Sequence, residues 1–86
     1  MQIEGAVIKE QGQTFAVVMV KRHVTESRHE AAQAAQSFSC CFPGLPIVLM
    51  SQDSRGHPTY FGRRDIASFL SRVPVSAIPW KRYTFN

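Results

Sequence analysis

Two short runs, Phe15-Ala16-Val17-Val18-Met19-Val20 and Ile47-Val48-Leu49-Met50, are apolar at every position. A β-strand turns successive side chains to opposite faces. A run without alternation therefore reads as a strand covered on both sides. Both runs belong near the centre of one sheet, and the rest of a chain of 86 residues has to be arranged around them. A chain of this length makes one domain, residues 1–86, with a thin core.

The segments around these runs supply the other elements. Residues 3–9 alternate loosely and read as a first strand, with Gly5 as a candidate bulge. A glycine-containing turn at 10–13 joins it to the second strand at 14–20, which makes an antiparallel hairpin. Ser27 and Glu30 match a capping box. The apolar positions Ala31, Ala34, Ala35, Phe38, Cys41 and Phe42 then extend a helical stripe to Pro43-Gly44. The third strand covers 45–50. A strand, a helix and a buried strand imply a crossover, with strands two and three parallel. Asp53-Ser54-Arg55-Gly56 is a turn and Thr59-Tyr60-Phe61 a short fourth strand. Pro58 at its start suits an edge, where no ladder donor is needed. A second helix opens near Asp65, with Ile66, Phe69, Leu70 and Val73 on one stripe, and closes at Pro74. Residues 78–85 form an extended arm or edge strand.

The expected architecture is α+β: a two-layer α/β sandwich in the order β-β-α-β-β-α-β, with both helices on one face of a mixed sheet. The second face of two doubly apolar strands is then left open. A second copy of the chain is the simplest cover, so self-association into a homo-oligomer is expected.

The net charge is +4 and the pI near 9.6. This favours anionic partners modestly, because a basic surface is only an electrostatic footprint. No apolar run approaches the ~18 residues of a membrane span. The first residues, Met1-Gln2-Ile3-Glu4-Gly5, lack the basic-then-apolar pattern of a secretory signal. The expectation is a cytoplasmic protein with no membrane partner.

Chemistry-bearing groups are sparse. Cys40 and Cys41 are adjacent, a spacing that does not close a relaxed disulfide. They stand near a helix C-terminus, where the dipole does not activate a thiol, so they read as packing residues. His23, His29 and His57 have no metal-ligand spacing with each other or with the cysteines. Asp53 and Asp65 suit a turn start and a helix start. Nucleophile-elbow, P-loop and dinucleotide glycine patterns are missing. No catalytic set, cofactor or metal is expected.

The residues left are basic and aromatic. Arg55, His57, Tyr60, Arg63 and Arg64 crowd one turn-rich segment, and Lys81 and Arg82 lie between Trp80 and Tyr83. Arginine forks suit phosphates and carboxylates, and interleaved aromatics suit single-stranded nucleic acid. The first functional expectation is a non-enzymatic interaction module. The alternative is a nucleic-acid or anion binder using these seven residues.

Overall fold

The computed structural model describes residues 1–10 and 12–85. Five strands form one sheet: β1 (Gln2–Glu10), β2 (Gln13–Met19), β3 (Ile47–Gln52), β4 (Pro58–Phe61) and β5 (Lys81–Thr84), in the order β4-β3-β2-β1-β5. Three α-helices connect them: α1 (Arg22–Glu26), α2 (Arg28–Phe38) and α3 (Arg64–Leu70). A 3-10 turn, Val75–Ala77, precedes β5. The β2–β3 pair is parallel and the other three pairs are antiparallel, so the sheet is mixed and the class is α+β as expected.

The doubly apolar strands are neighbours at the middle of the sheet. Phe15, Val17, Val48 and Met50 face one way and pack with Ile66, Leu70 and Ile78. Ala16, Val18 and Leu49 face the other way and pack with Ala31 and Phe42. The helices therefore divide, with α2 on one face and α3 on the other. This corrects the expected placement of both helices on one face. The path of the chain gives the reason. The link from β2 to β3 carries α2 over one face. The next long link starts at β4 on one edge and ends at β5 on the opposite edge. It crosses the whole sheet, and the face still bare is the one α3 covers. The chain thus covers its own second face, and the ground given above for self-association is removed.

Local chemistry explains most boundaries. Ser27 Oγ accepts from the Glu30 N–H at 3.2 Å and caps α2. Glu30 does not complete the box, because its carboxylate turns to His23 Nδ1 at 3.1 Å. The helix stops at Phe38 instead of running to about residue 42. Ser39 Oγ donates to the Gln36 carbonyl at 2.6 Å, and such a bond competes with continued helix. Cys41 and Phe42 still pack on the α2 face, from the turn that follows. The short α1 has no side-chain cap. Val24 packs on the α2 face, Thr25 Oγ1 meets the buried Ser51 Oγ at 2.6 Å, and Arg22 and Glu26 pair at 2.8 Å. Gly5 keeps regular register opposite Val18 and makes no bulge. A Cβ there would stand 2.7 Å from the Val17 carbonyl oxygen, so close strand approach requires glycine.

Phe38 and Phe69 lie on the expected stripes but are half-buried, whereas Leu49 and Leu70 are fully buried on opposite faces. Leu49→Ala and Leu70→Ala should each cost about 2–5 kcal/mol of stability. Urea unfolding of the two variants checks this. A loss confined to one of them would mean that one face contributes little to the core.

Candidate functional site

The structure separates the seven basic and aromatic candidates. Arg55 and His57 sit in the β3–β4 turn, at one end of β4, while Arg63 and Arg64 sit beyond its other end. Lys81 and Arg82 lie on β5, at the opposite edge of the sheet from β4. Four strand spacings, about 19 Å, separate those edges.

Most of these groups have local duties. Asp53 Oδ1 accepts from the N–H groups of Arg55 and His57 at 2.8 and 2.9 Å, and Gly56 closes the turn at φ 84°. This is a three-residue hairpin loop with a left-handed glycine. His57 Nδ1 also stands 3.6 Å from Asp53 Oδ2. Arg63 grips Asp65 with two bonds, at 2.8 and 3.3 Å, and Arg82 approaches Glu4 at 3.7 Å. Arg55, Arg64 and Lys81 are exposed.

The aromatic partners are committed to packing. Tyr60 lies against the α3-face core. Trp80 packs there too, and its indole N–H donates to the Val75 carbonyl at 3.0 Å. Tyr83 and Phe85 pack on Phe42, with ring centroids 5.3 and 6.2 Å away. These rings are not free platforms for bases, and the basic residues do not form one surface.

The N–H of His57, bonded to the Asp53 carboxylate, holds that carboxyl below its usual range, with further help from the Arg55 N–H and the charges of His57 and Arg22. A lowered folded pKa stabilises the turn at higher pH. The contribution is complete above the unfolded value of about 3.9 and is lost as pH falls through the lower folded value. The amide shifts of Arg55 and His57 should follow this transition in an acid titration. In Asp53→Ala the same shifts should stay flat over that window.

The Tyr60 hydroxyl is buried and makes no hydrogen bond among the described residues. Burial pushes its pKa up, so it stays protonated at neutral pH. An unpaired buried hydroxyl costs stability. Tyr60→Phe should raise the thermal midpoint, and a lower midpoint would show that the hydroxyl has a partner the chain alone does not provide.

Among the described residues, no three His, Cys, Asp or Glu side chains converge to hold a metal ion. Cys40 is exposed and Cys41 half-buried, both as free thiols. Among the described residues, no helix is long and apolar enough to cross a membrane.

A different place stands out, one that the residue types alone do not mark. β5 pairs with β1 only from Gln2 to Gly5. Met1 and Phe85 exchange N–H···O bonds at 2.7 and 2.8 Å. The odd residues of β1 therefore turn their backbone groups toward β5. Val7 and Lys9 continue that series past the end of β5, so their N–H and C=O groups face outward with no strand beside them among the described residues. One further pair would set Pro79 opposite Val7. Proline has no N–H to donate, and the ladder ends there.

This free edge is also apolar. Val7 is 42% exposed, and Met1 is the other large hydrophobic side chain with comparable exposure. Beside it lies a groove of about 280 Å³, lined on the β1 side by Val7, Ile8, Lys9 and Glu10 and across from them by Phe69, Leu70, Val73, Ala77, Ile78 and Pro79. The sequence signals that could have located it are Pro79 and the short turn after Glu10, which together set the direction of the β1 backbone groups.

Compared with protein-family models, with curated proteins and with solved structures, the chain has no significant match.

Proposed function

We propose that this chain is a non-enzymatic protein-interaction module that accepts an extended segment of another polypeptide along the free half of β1. One observation carries this reading: outward-facing backbone groups at Val7 and Lys9 coincide with an exposed valine and an apolar groove. Strand addition uses both features. Main-chain hydrogen bonds supply affinity, and alternate side chains select the partner. The other two edges are less suited to it. On β4 the outward positions are Pro58 and Tyr60, and Pro58 has no donor. On β5 the outward backbone positions are Arg82 and Thr84, which do not line the groove, whereas the free half of β1 borders it. A reducing cytoplasmic setting suits the two free cysteines.

The test is selection of extended peptides from a random display library, followed by amide chemical-shift mapping. Selected peptides should shift Val7, Ile8 and Lys9 together with Phe69 and Val73. Binders that shift the 53–57 turn or α2 instead, or a library with no binder, would overturn the reading.

A further inference from the structure

We infer that the segment docked on this edge is the carboxyl-terminal end of an acidic partner peptide, running antiparallel to β1. The inference rests on the reading of β1 as a docking edge and specifies what that edge selects.

The lane beside β1 is open at one end and closed at the other. β5 occupies it from Lys81 onward, where Lys81 faces Gly5. Trp80 and Pro79 lie between Lys81 and the open part. An antiparallel guest strand enters alongside Lys9, passes Ile8 and reaches Val7, and there it meets the start of β5. A continuous chain would have to bend out of the sheet at that point. A chain that ends there needs no bend, and its last carboxylate stops beside Pro79 and Trp80, with Lys81 the next cation along the lane.

The side chains along the lane define the guest further. Val7 and Lys9 share the sheet face of Gly5 and Lys81, and Ile8 points to the α3 face. Directly opposed cross-strand residues interact as pairs. The guest residue opposite Lys9 is therefore acidic. The next, opposite Ile8, is apolar and enters the groove beside Phe69 and Val73. The last, opposite Val7, is β-branched and bears the free carboxylate. Two exposed lysines thus bracket the guest on the face of Val7, one near the acidic side chain and one near the terminus, while the exposed Glu10 lies on the opposite, groove-side face. The net charge of +4 favours an acidic guest over a second copy of this chain. A second copy is disfavoured on steric grounds too. Pairing about Ile8 would bring Glu10 of one chain to the level of Ala6 in the other, where Trp80 stands.

The experiment compares three synthetic peptides: one ending in Asp-Leu-Val with a free carboxylate, its carboxamide, and one ending in Lys-Leu-Val. The free acid should bind several-fold more tightly than either of the others and shift Val7, Ile8 and Lys9. Added salt should weaken its binding. Lys81→Ala should abolish the preference for acid over amide, and Lys9→Ala the preference for Asp over Lys. Both lysines are exposed, so both variants should fold. Equal binding of all three peptides at the same amides would overturn the acidic C-terminal specificity and leave strand docking intact. Binding of none of the three would overturn the specificity as well, and a library that yields no edge binder separately removes the docking reading. A mass of two chains with the Val7 and Lys9 amides protected would make the occupant a second copy and overturn the proposal.

Discussion

The parallel pairing of β2 with β3 is the contact on which the rest of the molecule depends. Val17 and Val18 stand beside Val48 and Leu49, and all four are fully buried. Each strand therefore needs apolar cover on two sides. One helix layer cannot supply it, so α2 takes one face and α3 the other. Parallel strands also require a crossover connection. That requirement places α1 and α2 between β2 and β3, and leaves β4 and β5 to extend the sheet in opposite directions. The whole chain is spent on covering two central strands.

This economy decides where interaction surface remains. The hydrophobic side chains are drawn inward, and the rings that looked available for stacking are packed on Phe42 or on the α3 face. What a small sheet cannot hide is its edges, because every outermost strand has unpaired backbone groups. Here the β4 edge is blunted by Pro58, and the outward positions of β5 do not line the groove. The third exists because Pro79 ends the β5 ladder before β1 is fully paired.

Much of the fold was legible in the residues. The unbroken apolar runs marked the central strands, Ser27 marked the start of α2, and Asp53 with Gly56 marked the hairpin turn. Pro58 marked an edge, and its outward position in β4 fits that reading. The failures share a cause. Periodicity shows which side chains are buried, but not which layer buries them, so the opposite placement of α2 and α3 needed the strand order. Helix α1 was missed because tertiary contacts of Val24 and Thr25, together with the local Arg22–Glu26 pair, hold it without any side-chain cap. The basic segment looked like one loop because β4, only four residues long, separates its halves in space but barely in sequence.

The same separation clarifies what a net charge says. Arg22, Arg63 and Arg82 each stand beside a carboxylate, and the Asp53 carboxylate organises the turn that holds Arg55 and His57. A positive total is compatible with charges that are locally answered, and exposed pairs of this kind contribute little to stability. Their effect is to reduce the long-range field of any one patch. The lysines at the ends of the open β1 lane differ in their setting. Lys9 and Lys81 lie on one sheet face, with Val7 between them in register and unpaired backbone at Val7 and Lys9. In the proposed docking, charge there would act together with directional hydrogen-bond donors and acceptors and the groove. Specific recognition needs that coincidence, and a count of lysines and arginines does not reveal it.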